Sequence, residues 1–277
     1  MKQQWLVAIG SIILLFGLYF FGRTKPNPKG VTQTTSDTAS SVSGPAQMLE
    51  QAKKQLKPNQ LATILGMENA ITRGDLVTQR IAMNGQLAAY WRDSVGNRLP
   101  YLYYNGQKAK LENSEKNLNF AAQSYLEALK SVPEPSVRTW MANEAQSLFD
   151  KVLKLNPAND SAKVGWGSTF IFGAGGAPME GIMKIREVAE RDSTFMYAQF
   201  MLGYGGMMTG QFDKAAERLL KVVKAEPENM EAVFLLAEAY ERSGNKTEAV
   251  RWYTTGKKSV KNPELLKAIE EKIKTLQ

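Results

Sequence analysis

A chain with neither histidine nor cysteine has few ways to do chemistry, and this sequence contains neither. Imidazole bases, thiol nucleophiles, disulfides and the usual nitrogen and sulfur metal ligands are excluded. Catalysis would have to rest on carboxylates, Lys, Tyr, Ser or Thr. Carboxylates such as Glu187, Glu190 and Asp192 are spaced as on an ordinary solvated helix face and lack a supporting pair. The glycine run FGAGGAP at 172–178 has no following Gly-Lys-Ser/Thr and no preceding strand pattern, so it is not a phosphate loop. Gly203-Tyr204-Gly205-Gly206 falls inside a helical pattern, where it either permits close helix contact or distorts the helix at a functional surface. An enzyme site would have to be built from carboxylates or lysines in the irregular stretch 61–118. The expectation is a non-enzymatic protein with no cofactor and no metal site.

Charge adds a second exclusion. The formal charge of +8 is uneven. Lys2, Arg23, Lys25 and Lys29 precede residue 46 against Asp37 alone, and the segment from Arg242 onward is also basic. That tail could meet nucleic acid or anionic lipid. The simpler reading is a solvated face on the last helices, and nucleic acid is not an expected partner.

The elements that would carry any binding site show up as a repeat. Written in rows of 34 from Ala162, Met196 and Met230, the same residue types recur in columns. The second row gives Leu202-Gly203, the turn Thr209-Gly210-Gln211, then Ala215, Leu219 and Val222, and closes on Glu226-Pro227-Glu228-Asn229. The third gives Leu236-Ala237, Tyr240, Ser243-Gly244-Asn245, Ala249, Tyr253 and Gly256, with Pro263 two places late. The first row is looser, with Trp166, Phe170 and Phe172, then Gly175-Gly176, then Gly181, Ile185 and Val188. One unit earlier, Ala145, Phe149, Val152 and Asn156-Pro157 match a second helix, whose first helix over 117–131 is detached by Val132-Pro133-Glu134-Pro135. Small residues let paired helices approach, and no single pair can bury its own apolar face, so neighbouring pairs must stack.

These columns resemble the tetratricopeptide repeat, clearly over 196–263 and loosely back to 119. The resemblance implies an all-α helical solenoid in which first helices line a concave groove. Carried over residue by residue, it places Trp166 and Phe170 in the groove from the first row. The second row contributes Tyr197, Phe200, Tyr204, Met207 and Met208, and the third Phe234, Glu238 and Arg242. The alternative for these aromatic and methionine side chains is packing between units. Glu231 and Leu235 stand where the family's peptide-carboxylate clamp needs basic residues, so a chaperone-tail adaptor is not implied. The expected role is a scaffold or adaptor that binds protein or peptide partners. An accessory subunit of a larger membrane complex is the competing reading.

Outside the repeats, residues 1–23 read as a transmembrane signal anchor. WLVAIGSIILLFGLYFF, from Trp5 to Phe21, is uncharged and bounded by Arg23 and Lys25. Its 17 positions make a helix of about 25 Å, long enough to enter the bilayer with interfacial flanks. A cleaved signal peptide is the rival reading, but no small-x-small site follows the stretch. The form resembles exported, membrane-tethered repeat proteins of bacteria. A bacterial inner-membrane location with a periplasmic domain is therefore expected, although the flanking charges leave the cytoplasmic side open. Residues 24–45 are rich in Ser, Thr, Pro and Gly and read as a flexible linker spanning roughly 25 Å. Residues 46–118 read as irregular helices, with RLPYLYYNGQ from Arg98 non-helical at its start. Residues 264–277 form an amphipathic helix placed to cap the repeats.

Overall fold

The computed structural model describes residues 44–173 and 178–277, and all regular structure among them is helical. The expected anchor over 5–21 lies outside the described residues. So does the expected linker, apart from Gly44 and Pro45, and Pro45 already opens the first helix. Among the described residues no helix is long and apolar enough to cross a membrane.

Helices α1 (Pro45–Lys53), α2 (Pro58–Arg73) and α3 (Val77–Tyr90) come first, and α3 runs into a π-helical turn, Trp91–Val95. Next are α4 (Arg98–Glu112), α5 (Glu115–Leu129), α6 (Pro135–Leu155), α7 (Asp160–Phe172) and α8 (Pro178–Arg191). The array continues with α9 (Met196–Met208), α10 (Phe212–Ala225), α11 (Met230–Arg242) and α12 (Lys246–Lys257), and ends in α13 (Pro263–Leu276). Proline opens α1, α2, α6 and α13, where its missing N–H would have had no intrahelical acceptor. Side-chain oxygens of Asn97, Ser114, Asn159, Asn229, Asn245 and Asn262 accept from first-turn N–H groups at six helix starts.

The stretch from Arg98 corrects one expectation, because it is helical from its first residue. Asn97 caps it by accepting from the Leu99 N–H at 3.2 Å. Pro100 falls in the first turn, where a proline removes no intrahelical bond.

Successive helices pack as pairs: α3 with α4, α5 with α6, α7 with α8, α9 with α10 and α11 with α12. The first helices α5, α7, α9 and α11 also touch in sequence, which makes one inner layer. One continuous core runs from Met48 to Ala239. The last pair is covered by α13, which buries Ile269 against Ala237, Ala249 and Tyr253 and tucks Ile273 and Leu276 beside them. Lys272 bonds Glu241 at 2.6 Å and Lys257 bonds Glu270 at 3.0 Å across the same contact.

The first row of the repeat is out of register by two residues in its first helix. Helix α7 starts at Asp160 and α8 at Pro178, a spacing two residues longer than from Met196 to Phe212 or from Met230 to Lys246. A Cβ on Gly203 would press on Leu219, with Ala215 close by. A Cβ on Gly167 would come within 2.5 Å of the Gly181 carbonyl and 2.7 Å of Ile185. Gly181 and Ile185 precede Ala215 and Leu219 by the 34-residue period, whereas Gly167 precedes Gly203 by two residues more. Gly167 is therefore the counterpart of Gly203, and the extra residues fall between α7 and α8.

These contacts set opposite expectations for two helical glycines. Gly167→Ala meets backbone and should destabilise the chain by about 1–3 kcal/mol. Gly66→Ala, in α2 with nothing within 4 Å, should stabilise it by up to about 1 kcal/mol. Thermal or urea unfolding of the two variants checks this, and equal shifts would refute the close-contact assignment.

Candidate interaction face

The inner layer gathers aromatic side chains from two successive units. On α9, Tyr197, Phe200 and Tyr204 lie one helical turn apart. The Tyr204 ring is 6.5 Å from Phe200 and 5.2 Å from Phe172 of α7. The Tyr197 hydroxyl donates to Gln123 Oε1 of α5 at 3.2 Å. Burial pushes the Tyr197 hydroxyl above its ordinary pKa despite that bond. Tyr204 is raised as well, first by burial and then by the Glu231 carboxylate. Phe200 is only 8% exposed and supports the middle of the face. Lys130, just past the end of α5, holds its ammonium 5.9 Å from the Phe200 ring centroid. It is ion-paired to Glu127 at 3.0 Å and to Glu231 of α11 at 2.9 Å.

The other candidates are dispersed. Trp166 and Phe170, expected in the groove from the Ala162 row, pack apart from these rings. The Trp166 indole N–H donates to Asp150 of α6 at 2.9 Å, and Lys184 of α8 sits 4.2 Å above its ring. Phe170 packs over Gly181 of α8. Both rings thus turn toward the second helices. The two-residue shift of α7 is the cause: it gives Trp166 the place of Leu202, and brings Phe172 and Ser168 to the inner face. Met207 is buried, while Met208 is 66% exposed. Phe234 packs over Gly256 of α12, under the cap. Glu238 and Arg242 pair at 3.6 Å on α11, and the Arg242 guanidinium lies 4.9 Å from the Phe212 ring of α10.

The glycines of α9 serve packing. Gly205 faces Ile182 and Ile171, and Gly206 faces Ala215. Gln123, Glu127, Lys130 and Phe172 are the members of the face that sequence reasoning missed. For Phe172 a signal existed, since Trp166-Gly167 is the same large–small pair as Leu202-Gly203 and Leu236-Ala237.

A cavity of about 580 Å³ lies elsewhere, among α1 to α4, lined by Leu49, Lys53, Glu68, Arg80, Tyr103 and Tyr104. Its charges largely satisfy one another. Lys53 bonds Glu50 at 3.0 Å and Glu68 at 2.8 Å, and the Tyr104 hydroxyl donates to Glu68. Lys110 bonds Glu144 at 2.6 Å. Among the described residues no group of three or more acidic side chains is placed to hold a metal ion.

With this geometry the chain can be compared with known proteins. Residues 207–258 match the family model described as tetratricopeptide repeat. Curated proteins give no match. Among solved structures, a thermophilic TPR protein of Thermus thermophilus is 14% identical, with a TM-score of 0.50 over 73% of this chain and 98% of that one. MamA from Desulfovibrio magneticus RS-1 is 20% identical, with a TM-score of 0.43 over 66% and 94%. YrrB, described as a TPR protein with an unusual peptide-binding site, is 16% identical, with a TM-score of 0.42 over 74% and 97%. The fold is an all-α solenoid of tetratricopeptide type.

The Lys53–Glu68–Tyr104 chain gives a pH signature. Burial alone would lower the Lys53 ammonium, but its bonds to Glu68 and Glu50 leave it raised above 10.5. Burial and the Glu68 carboxylate raise Tyr104 far above 10.0. Both groups hold their protons more tightly in the folded chain. Their stabilisation is therefore complete below those ordinary values and is lost as pH rises toward the folded ones. Thermal melts should show stability falling above about pH 10. Lys53→Met combined with Tyr104→Phe should flatten that limb, and an unchanged slope would refute the assignment.

Proposed function

We propose that the chain is a tethered scaffold that binds protein or peptide segments along the face of Phe172, Tyr197, Phe200, Tyr204 and Met208. The observation that carries this reading is the meeting of first-helix aromatic rings from two successive units at one inner layer, with carboxylates of α5 and α11 beside them. Aromatic and methionine side chains bury large areas and accommodate varied partners. Glu231 continues the face onto α11. In this reading residues 5–21 anchor the chain in a bacterial inner membrane, the residues from 24 up to the cap of α1 at Gly44 form the tether, and the array works on the periplasmic side.

A second reading, a subunit of a larger membrane complex, draws support from Met179 and Met183. They are 63% and 61% exposed on the second helix α8, away from the aromatic face. Capture of crosslinked partners from intact membranes separates the two. Tyr204→Ala with Met208→Glu should lower partner recovery at least about tenfold under the groove reading, and Met179→Ser with Met183→Ser should leave it unchanged. The reverse pattern would move the contact to α8. Removing residues 1–23 should transfer the chain from the membrane to the soluble fraction, and continued sedimentation with membranes would refute the anchor.

A further inference from the structure

Lys130 makes the longest-range ion pair of the array, reaching from the end of α5 to the first turn of α11. Its position is that of a bound cation. The ammonium lies over the Phe200 ring and is paired to both Glu127 and Glu231. An aromatic floor with two carboxylate walls suits a lysine or arginine head group on either electrostatic ground, the ring quadrupole or the ion pair. The site is also shared between units, because α5 and the residue after it supply Glu127 and Lys130, α9 supplies Phe200 and α11 supplies Glu231.

The seat is held weakly. The Glu127 and Glu231 side chains are 63% and 45% exposed, so water screens both pairs and neither fixes the chain strongly. A cation arriving on another chain would find the same partners and displace Lys130 at little net loss of contact. Apolar surface lies next to the seat in the half-buried Tyr204 and the exposed Met208, and the buried Phe172 ring supports Tyr204 from behind. Toward α11, Glu238 is paired with Arg242, whose guanidinium is turned onto Phe212.

Building on the groove reading above, we propose that this face selects a peptide segment by a lysine or arginine seated on Phe200 between Glu127 and Glu231, next to apolar residues, and that Lys130 occupies that seat in the free chain. Lys130 is thus a built-in competitor. It lowers affinity for every ligand that needs the seat and keeps the aromatic face covered when no partner is present.

The test uses the full chain, immobilised and panned with a displayed library of random dodecapeptides. Peptides enriched on the wild type should carry Lys or Arg at one fixed position beside apolar residues. Lys130→Met should bind those peptides about two- to fivefold more tightly, the loss of one exposed competitor. Glu127→Gln with Glu231→Gln should weaken them about five- to thirtyfold and abolish the preference for a basic residue. All three positions are at the surface, so circular dichroism melts should match the wild type. Enriched peptides without a basic residue, still lost in Tyr204→Ala/Met208→Glu, would overturn this proposal and leave the groove reading standing. Enrichment that survives both double variants, or no enrichment at all, would overturn both. Unchanged affinity in Lys130→Met would remove the competitor role.

Discussion

Each helix pair in the repeat array is held at a separation set by small residues on facing sides: Gly167 against Gly181, Gly203 against Ala215, and Ala237 with Ala249 in one buried cluster. Where two backbones nearly touch, no side chain larger than a methyl fits, and the large residues must pack above and below that point. Trp166 and Phe170, Leu202, and Leu236 fill those flanking positions. The contact therefore decides which residues of a first helix face the second helices and which are left for the inner layer. Displacing the small residue by two positions rotates the helix by roughly 200° about its axis, enough to exchange its faces.

That rotation is what happens in α7. The 34-residue period is carried most securely by the second helices, and aligning on them puts Trp166 and Phe170 in groove columns. Extra residues between α7 and α8 break the phase of the first helix without disturbing the second, because a turn absorbs length that a helix cannot. From 196 to 263 the pattern was fully legible. Gly210 and Gly244 take the positive φ values of 74° and 86° that end α9 and α11, and Pro227 stops α10 before the next cap. In those units the small-residue columns and the turn columns agree. In the Ala162 row they disagree, and the large–small pair Trp166-Gly167 was the better guide to register than the period.

The rest of the face was hidden for a different reason. Gln123, Glu127 and Lys130 are polar residues on one face of α5 and at its end, and amphipathic periodicity carries no information about their long-range partners. Glu231 reads as an ordinary first-turn acid on α11, favourable to the helix dipole whatever it touches. Only the stacking of the first helices brings it to a lysine at the end of α5. In the same way Pro100 reads as a break but sits within the first turn of α4, because the Asn97 cap begins the helix ahead of it. Local signals located the helices, whereas the pairing of charges between units is a property of the stacked array.

The proline turn after α5 connects these points. Helix α5 ends at Leu129, and Pro135 opens α6, which at 21 residues is the longest helix of the array. Lys130 keeps helical backbone angles one residue past Leu129, so it lies on the same face of α5 as Gln123 and Glu127. That face, and not the turn that follows, puts the ammonium within reach of Phe200 and Glu231. The helix that the proline turn detaches from the repeat pattern is thus the one that places a cation over the aromatic face. An uncharged residue in place of Lys130 would leave the face uncovered, and any selectivity for basic segments would then depend on Glu127 and Glu231 without an internal competitor to raise the threshold for binding.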